Sequence, residues 1–308
     1  MRSKTQSYMP HNINMKHILI CLAFLFLLFL ILRSNHQSPV ALPIITSSTN
    51  DSSSPQEESV VQSQKTSTEC PPIEIPTSTV SNSCDKIPAS LAEAMVHYAT
   101  SNVTPQQTKK EVSVSLKVLQ RKSPCNFLVF GLGLDSLMWT ALNHGGRTVF
   151  LEEDKSWIDQ ITRQLPSLEA YHVAYNTKVT EADELMEMGM REDCKAVGDP
   201  RESRCELALK GFPSEVYDMD WDVIMVDAPT GWHEGAPGRM TAIYTAGLMA
   251  RNRESGETEV FVHDVDRTVE DKFSKAFLCE GYLIEQEGRI RHFSIPSHRA
   301  RSGRPFCP

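Results

Sequence analysis

Residues 87–308 predict an α/β fold whose mostly parallel sheet ends in an antiparallel hairpin. Three observations carry that expectation. Short runs rich in β-branched and aromatic residues, NFLVF, RTVFL, AYHVAY, WDVIMV and EVFVH, are separated by helix-compatible segments, and such alternation builds parallel sheets with helices on both faces. The first run leads into a glycine-containing turn, GLG. The last stretch, GYLIEQEGRIRHFSIP, sets two alternating runs around Gly288 with no residues left for a crossover helix, so a hairpin joins them.

From the amino end, residues 18–32, ILICLAFLFLLFLIL, carry no polar side chain. As a helix they reach about 22 Å, short of a hydrocarbon core of about 30 Å, which suits a thin early-secretory membrane or a signal-peptide core. Arg2, Lys4 and Lys16 precede the run against Arg33 after it, and no A-x-A pattern follows. Both features favour an uncleaved single-pass anchor, with residues 1–17 in the cytosol and the bulk lumenal. Residues 33–85, with SSTNDSSSPQEESVVQSQKTSTE, are too poor in apolar side chains for a core and read as a stem.

The folded domain takes residues 86–308. PASLAEAMVHYAT and PQQTKKEVSVSLKVLQ read as its first two helices, the second opened by Thr104 as N-cap and Pro105 at the first helical position. A net charge of −8 over 308 residues carries no nucleic-acid footprint. Seven of eight cysteines lie beyond Cys21, and a lumenal address permits disulfides. Connectivity is not fixed by sequence; the expected pairs are Cys194 with Cys205, flanking a polar loop, and Cys279 with Cys307, fastening the tail, with Cys125 a buried thiol. Asn102 and Asn50 head glycosylation sequons.

In a doubly wound sheet, ligands lie across the carboxyl ends of the strands where strand order reverses. Gly131 and Gly133 occupy the turn after the first strand, where the missing Cβ lets the backbone approach a ligand. About 20 residues on, VFLEED ends the second strand with Glu152 and Glu153, a spacing at which a carboxylate accepts ribose hydroxyls. GLGLDS lacks the third glycine of the dinucleotide fingerprint, and no phosphate-loop motif is present. Together with the hairpin, an outline of the class I methyltransferase fold (Rossmann-like), this points to S-adenosylmethionine, held by Gly131, Gly133, Asp135, Glu152 and Glu153. WDVIMVDAPTGW and EVFVHDVDR deliver Asp227, His263, Asp264 and Asp266 at further strand ends, the place for a site's polar groups.

CNFLVFGLGLDSLMW, RTVFLEED, WDVIMVDAPTGW, EAPGRM and FVHDVDR resemble the plant glucuronoxylan 4-O-methyltransferase family, which also holds arabinogalactan-glucuronate methyltransferases and the irregular-xylem proteins. The likeness runs over residues 87–307 and includes the short anchor and stem. It implies a single-pass type II Golgi membrane enzyme, catalytic domain lumenal. The implied reaction moves a methyl group from S-adenosylmethionine to the 4-hydroxyl of glucuronic acid on a polysaccharide, glucuronoxylan or arabinogalactan.

A sugar hydroxyl is a weak nucleophile, so a base must take its proton; Asp227, Asp264 and His263 are the candidates. The same carboxylates, Asp227 and Asp264, resemble those with which catechol-type methyltransferases hold a divalent metal ion, for which hard oxygen ligands suit magnesium, manganese or cobalt. Arg239 in APGRM is the expected counter-charge for the uronate carboxylate. Arg267, and more remotely Arg289 and Arg291, are further candidates for a polyanion groove.

Overall fold

The computed structural model describes residues 87–103, 106–301 and 303–308. The expected anchor, the stem, and Thr104 with Pro105 lie outside the described residues. Helix α1 (Ala89–Thr100) follows the predicted run. Helix α2 (Lys109–Lys122) starts later than expected, with Thr108 as its N-cap. Thr108 Oγ1 accepts from the Glu111 amide at 3.3 Å while Glu111 Oε2 accepts from the Thr108 amide at 2.6 Å. This reciprocal box satisfies two amides that a helix start otherwise leaves open.

Seven strands follow: β1 (Asn126–Phe130), β2 (Arg147–Glu152), β3 (Glu169–His172), β4 (Val223–Val226), β5 (Glu257–Val262), β6 (Leu283–Glu287) and β7 (Ile290–Pro296). They form one sheet in the order β3-β2-β1-β4-β5-β7-β6. β1 to β5 run parallel, and β7 inserts antiparallel between β5 and β6. The predicted hairpin is therefore present, turning at Gly288, whose φ is +54°. The edge strand β3 is shorter than AYHVAY suggested, because after His172 only the Val173 amide keeps a ladder partner, the Glu152 carbonyl.

Successive strand residues face opposite layers. Leu128, Phe130, Val149, Leu151, Ile224, Val226, Val260 and Val262 pack on one side, with Ile243 and Tyr244 of α3 (Met240–Asn252). Phe127, Val129, Phe150, Val223, Met225 and Phe261 pack on the other, with Val114, Val118 and Leu119 of α2. Each such side chain contributes roughly 1.5–3 kcal/mol by leaving water, which explains why the central strands read as unbroken apolar runs. Two disulfides, Cys194–Cys205 and Cys279–Cys307, match the expected pairs, and Cys125 is a free, buried thiol.

Candidate active site

Strand order reverses between β1 and β4, and the cavity that opens there has a volume of 460 Å³. The β1 turn forms one wall. Gly131 has φ +121° and donates its amide to Leu151 O at 2.7 Å. A Cβ there would stand 3.2 Å from that of Ala228, so the position demands glycine on both counts. At Gly133 a Cβ would fall 2.5 Å from Asp135 Oδ1.

Glu152 ties this turn to β2: its Oε2 accepts from the Leu132 amide at 3.0 Å, and its Oε1 from the Glu153 and Asp154 amides at 2.9 and 3.0 Å. Burial still raises its pKa above the usual carboxylate range, against the pull of these amides. Glu153 Oε1 accepts from the Thr230 amide and hydroxyl at 3.0 and 2.7 Å, while its Oε2 is buried with no hydrogen-bond partner. Asp135 Oδ2 accepts from Trp139 Nε1 at 3.0 Å, and burial and the charge of Asp227 push its pKa up. All five expected cofactor residues line the cavity.

The opposite wall is a charged cluster at the ends of β4 and β5. His263 Nδ1 lies 2.9 Å from Asp227 Oδ1, and Gln107 Nε2 donates to Asp227 Oδ2 at 3.1 Å. Burial alone would raise Asp227; the His263 hydrogen bond and the nearby Arg239 charge more than offset it, so its pKa is lowered. Asp264 takes a left-handed φ of +60°, rare outside glycine but tolerated by Asp. Arg239 and Arg267 both reach its Oδ2 at 2.9 Å, and Arg289 its Oδ1 at 2.6 Å.

Arg239 does not fit the part of an acceptor clamp. Its side chain is only 5 % exposed and bridges Asp227 (3.2 Å) and Asp264 (2.9 Å). Its Nε and Nη1 donate to the carbonyls of Pro229 and His263 at 3.2 and 2.9 Å. With these donors taken, Arg239 organises the floor rather than meeting a ligand carboxylate. Arg291 is bonded to Asp271, Ser274 and Gln286 and does not line the cavity.

The expected metal donors come together, with atoms of Asp227, His263 and Asp264 within 4.8 Å of one another. Their oxygens are already met by the three guanidinium groups, the His263 ring and Gln107. As arranged, the cluster does not fit a dication, which would have to displace Arg239 from between the two carboxylates.

Several site residues carry no local sequence signal: Gln107, Thr230, and Glu270, whose buried carboxylate lies 3.6 Å from Arg267 and 3.9 Å from Arg239. Glu270 oxygens have no hydrogen-bond partner, and burial raises its pKa. Their roles arise from chain crossings that no motif spells out.

A seven-stranded sheet of this order, with a glycine turn after β1 and acids at the ends of β2, β4 and β5, defines the class I methyltransferase fold. The family model described as IRX15/IRX15L/GXM matches residues 110–293, and the chain belongs to that family. Glucuronoxylan 4-O-methyltransferase 3 of Arabidopsis thaliana is 59% identical over 309 residues, covering 100% of this chain and 98% of that relative. Glucuronoxylan 4-O-methyltransferase 1 of the same plant is 66% identical over 233 residues, 74% and 83% of the two chains. Its Arabinogalactan O-methyltransferase 2 is 50% identical over 223 residues, 70% and 77% of the two chains.

Proposed function

We propose that this chain transfers the methyl group of S-adenosylmethionine to the 4-hydroxyl of glucuronic acid side chains on glucuronoxylan. The observation that carries the reading is the end-to-end similarity to a glucuronoxylan 4-O-methyltransferase, 59% identity over 100% of this chain; the arabinogalactan relative covers less, at lower identity.

The cavity supports the cofactor. Gly131 and Gly133 present backbone without a Cβ on its wall, and the unpartnered Glu153 Oε2 is an acceptor for a ribose hydroxyl. When bound, S-adenosylmethionine supplies an electrophilic methyl on a sulfonium. The protein's tasks are then to align the acceptor hydroxyl and to receive its proton. Asp227 is the group for the proton: it lines the cavity, its lowered pKa keeps it ionised, and His263 and Arg239 fix its orientation.

Incubating the protein with labelled S-adenosylmethionine and unmethylated glucuronoxylan should label the polymer, with arabinogalactan labelled weakly or not at all. Label on arabinogalactan alone would overturn the assignment. The same reading places the chain in the Golgi membrane with its catalytic domain lumenal, supported by the apolar residues 18–32 and by two disulfides of the kind an oxidising lumen permits. Sealed vesicles should protect the carboxyl end from added protease; its digestion would reverse the orientation.

A further inference from the structure

We infer that Arg267 and Trp232 form the acceptor subsite, the Arg267 guanidinium taking the uronate carboxylate and the Trp232 indole stacking on the pyranose. The inference rests on the proposed glucuronate acceptor and reassigns the role first expected of Arg239.

Charge selects the arginine. The cavity lining includes five acids, Asp135, Glu152, Glu153, Asp227 and Asp264, against two arginines, Arg239 and Arg267. An anionic sugar entering such a wall is repelled unless a cation meets it. Arg239 is enclosed and its donors are engaged. Arg267 is different: it lines the cavity with its side chain 30 % exposed, its Nη2 anchored to Asp264 at 2.9 Å and its Nη1 enclosed 3.6 Å from Glu270 Oε1. It is thus a pre-oriented guanidinium that still borders the cavity, a cation placed to meet a carboxylate. In a glucuronate the 4-hydroxyl stands on the carbon next to the one bearing the carboxylate. Holding the carboxylate at Arg267 therefore keeps that hydroxyl at the wall where Asp264 and Asp227 stand.

The loop from β4 to α3 supplies the second contact. Trp232 lines the same cavity yet is 74 % exposed, the most exposed large hydrophobic side chain among the described residues. His233 abuts it edge to face at a centroid distance of 4.6 Å. Glycine at 231 lets this loop lie close over the charged wall, since a Cβ there would stand 2.7 Å from Glu270 Oε1 and 3.4 Å from Arg267 Nη1. An indole held at the mouth of a polar cavity offers an electron-rich face, complementary to the polarised C–H face of a sugar ring.

The test measures kcat/KM of the full-length protein on a glucuronoxylan oligosaccharide and on the same oligosaccharide with its carboxyl reduced to an alcohol, alongside S-adenosylmethionine affinity. Wild type should prefer the acid by about tenfold to a hundredfold. Arg267→Gln should bring the two acceptors to parity without changing cofactor affinity, and Arg267→Lys, which can keep a charge beside Asp264, should fall between. Trp232→Ala should raise KM for both acceptors by roughly two- to tenfold and leave their ratio unchanged, with Trp232→Phe restoring most of it. An unchanged acid preference in both Arg267 variants, or an unchanged KM in Trp232→Ala, overturns the subsite while the activity stands. A wild type that methylates no glucuronate acceptor overturns the functional reading and the subsite with it.

Discussion

Asp227 is held in its anionic form by two neighbours, the His263 ring at 2.9 Å and the Arg239 guanidinium at 3.2 Å. Asp227→Asn should lower kcat by roughly a hundredfold or more while leaving S-adenosylmethionine affinity near wild type in calorimetry. The sign of the pH dependence follows from the lowered pKa. The ionised form persists below the ordinary Asp value of about 3.9. Its contribution to stability is present above the unfolded value and is lost as pH falls through the folded one. The acid limb of kcat should therefore not appear between neutral pH and about 5; a limb inside that range would take the base role away from Asp227. Arg239 was legible as a charged residue of the site, but its orientation was not. The carbonyls of Pro229 and His263 that enclose it belong to segments that only folding brings together. Arg239→Leu should cost about 3–5 kcal/mol in chemical denaturation, the penalty of stranding buried carboxylates.

The central strands were readable because burial on both faces turns them into uninterrupted apolar stretches, as β1 and β4 show with no exposed residue in either. Helix starts were less so. Thr104 and Pro105 make a plausible start, yet Thr108 with Glu111 three residues later makes the stronger one, since both side chains bond back to the backbone. Thr108→Ala should lower stability by about 0.5–2 kcal/mol, measured as a shifted urea midpoint with unchanged slope. The turn after β1 is stricter. Gly131→Ala meets both a φ of +121° and the Ala228 Cβ at 3.2 Å, so stability should fall by about 1–3 kcal/mol and cofactor affinity should fall with it. Retained affinity in calorimetry would place the cofactor away from this turn.

The terminal hairpin was foreseeable from spacing, since no residues remain for a crossover helix; both disulfides match the expected pairs, but with seven cysteines beyond Cys21 it is folding, not spacing, that fixes their connectivity. Trp232, exposed in a loop, gave no periodic signal, and neither did Glu270. Reduction should test the bridges: opening Cys279–Cys307, which closes a separation of 28 residues, should cost about 2–4 kcal/mol, and Cys194–Cys205, with a separation of 11, somewhat less. Thermal unfolding with and without reductant, and of Cys→Ala pairs, separates the two.

Charge runs as a continuous row from helix α2 to the cavity floor. Glu111 Oε1 accepts from the Arg289 amide at 2.7 Å, Arg289 holds Asp264 at 2.6 Å, and Arg239 joins Asp264 to Asp227. Substitutions along that row will be epistatic: a neutral residue at Glu111 alters what is tolerated at Arg289, and through Asp264 what Asp227 can do. The hairpin tip at Gly288, where a Cβ would press to 2.7 Å on Glu111, is thereby wired to the chemistry, and a mutational scan scored by methyl transfer should find it as intolerant as the catalytic wall.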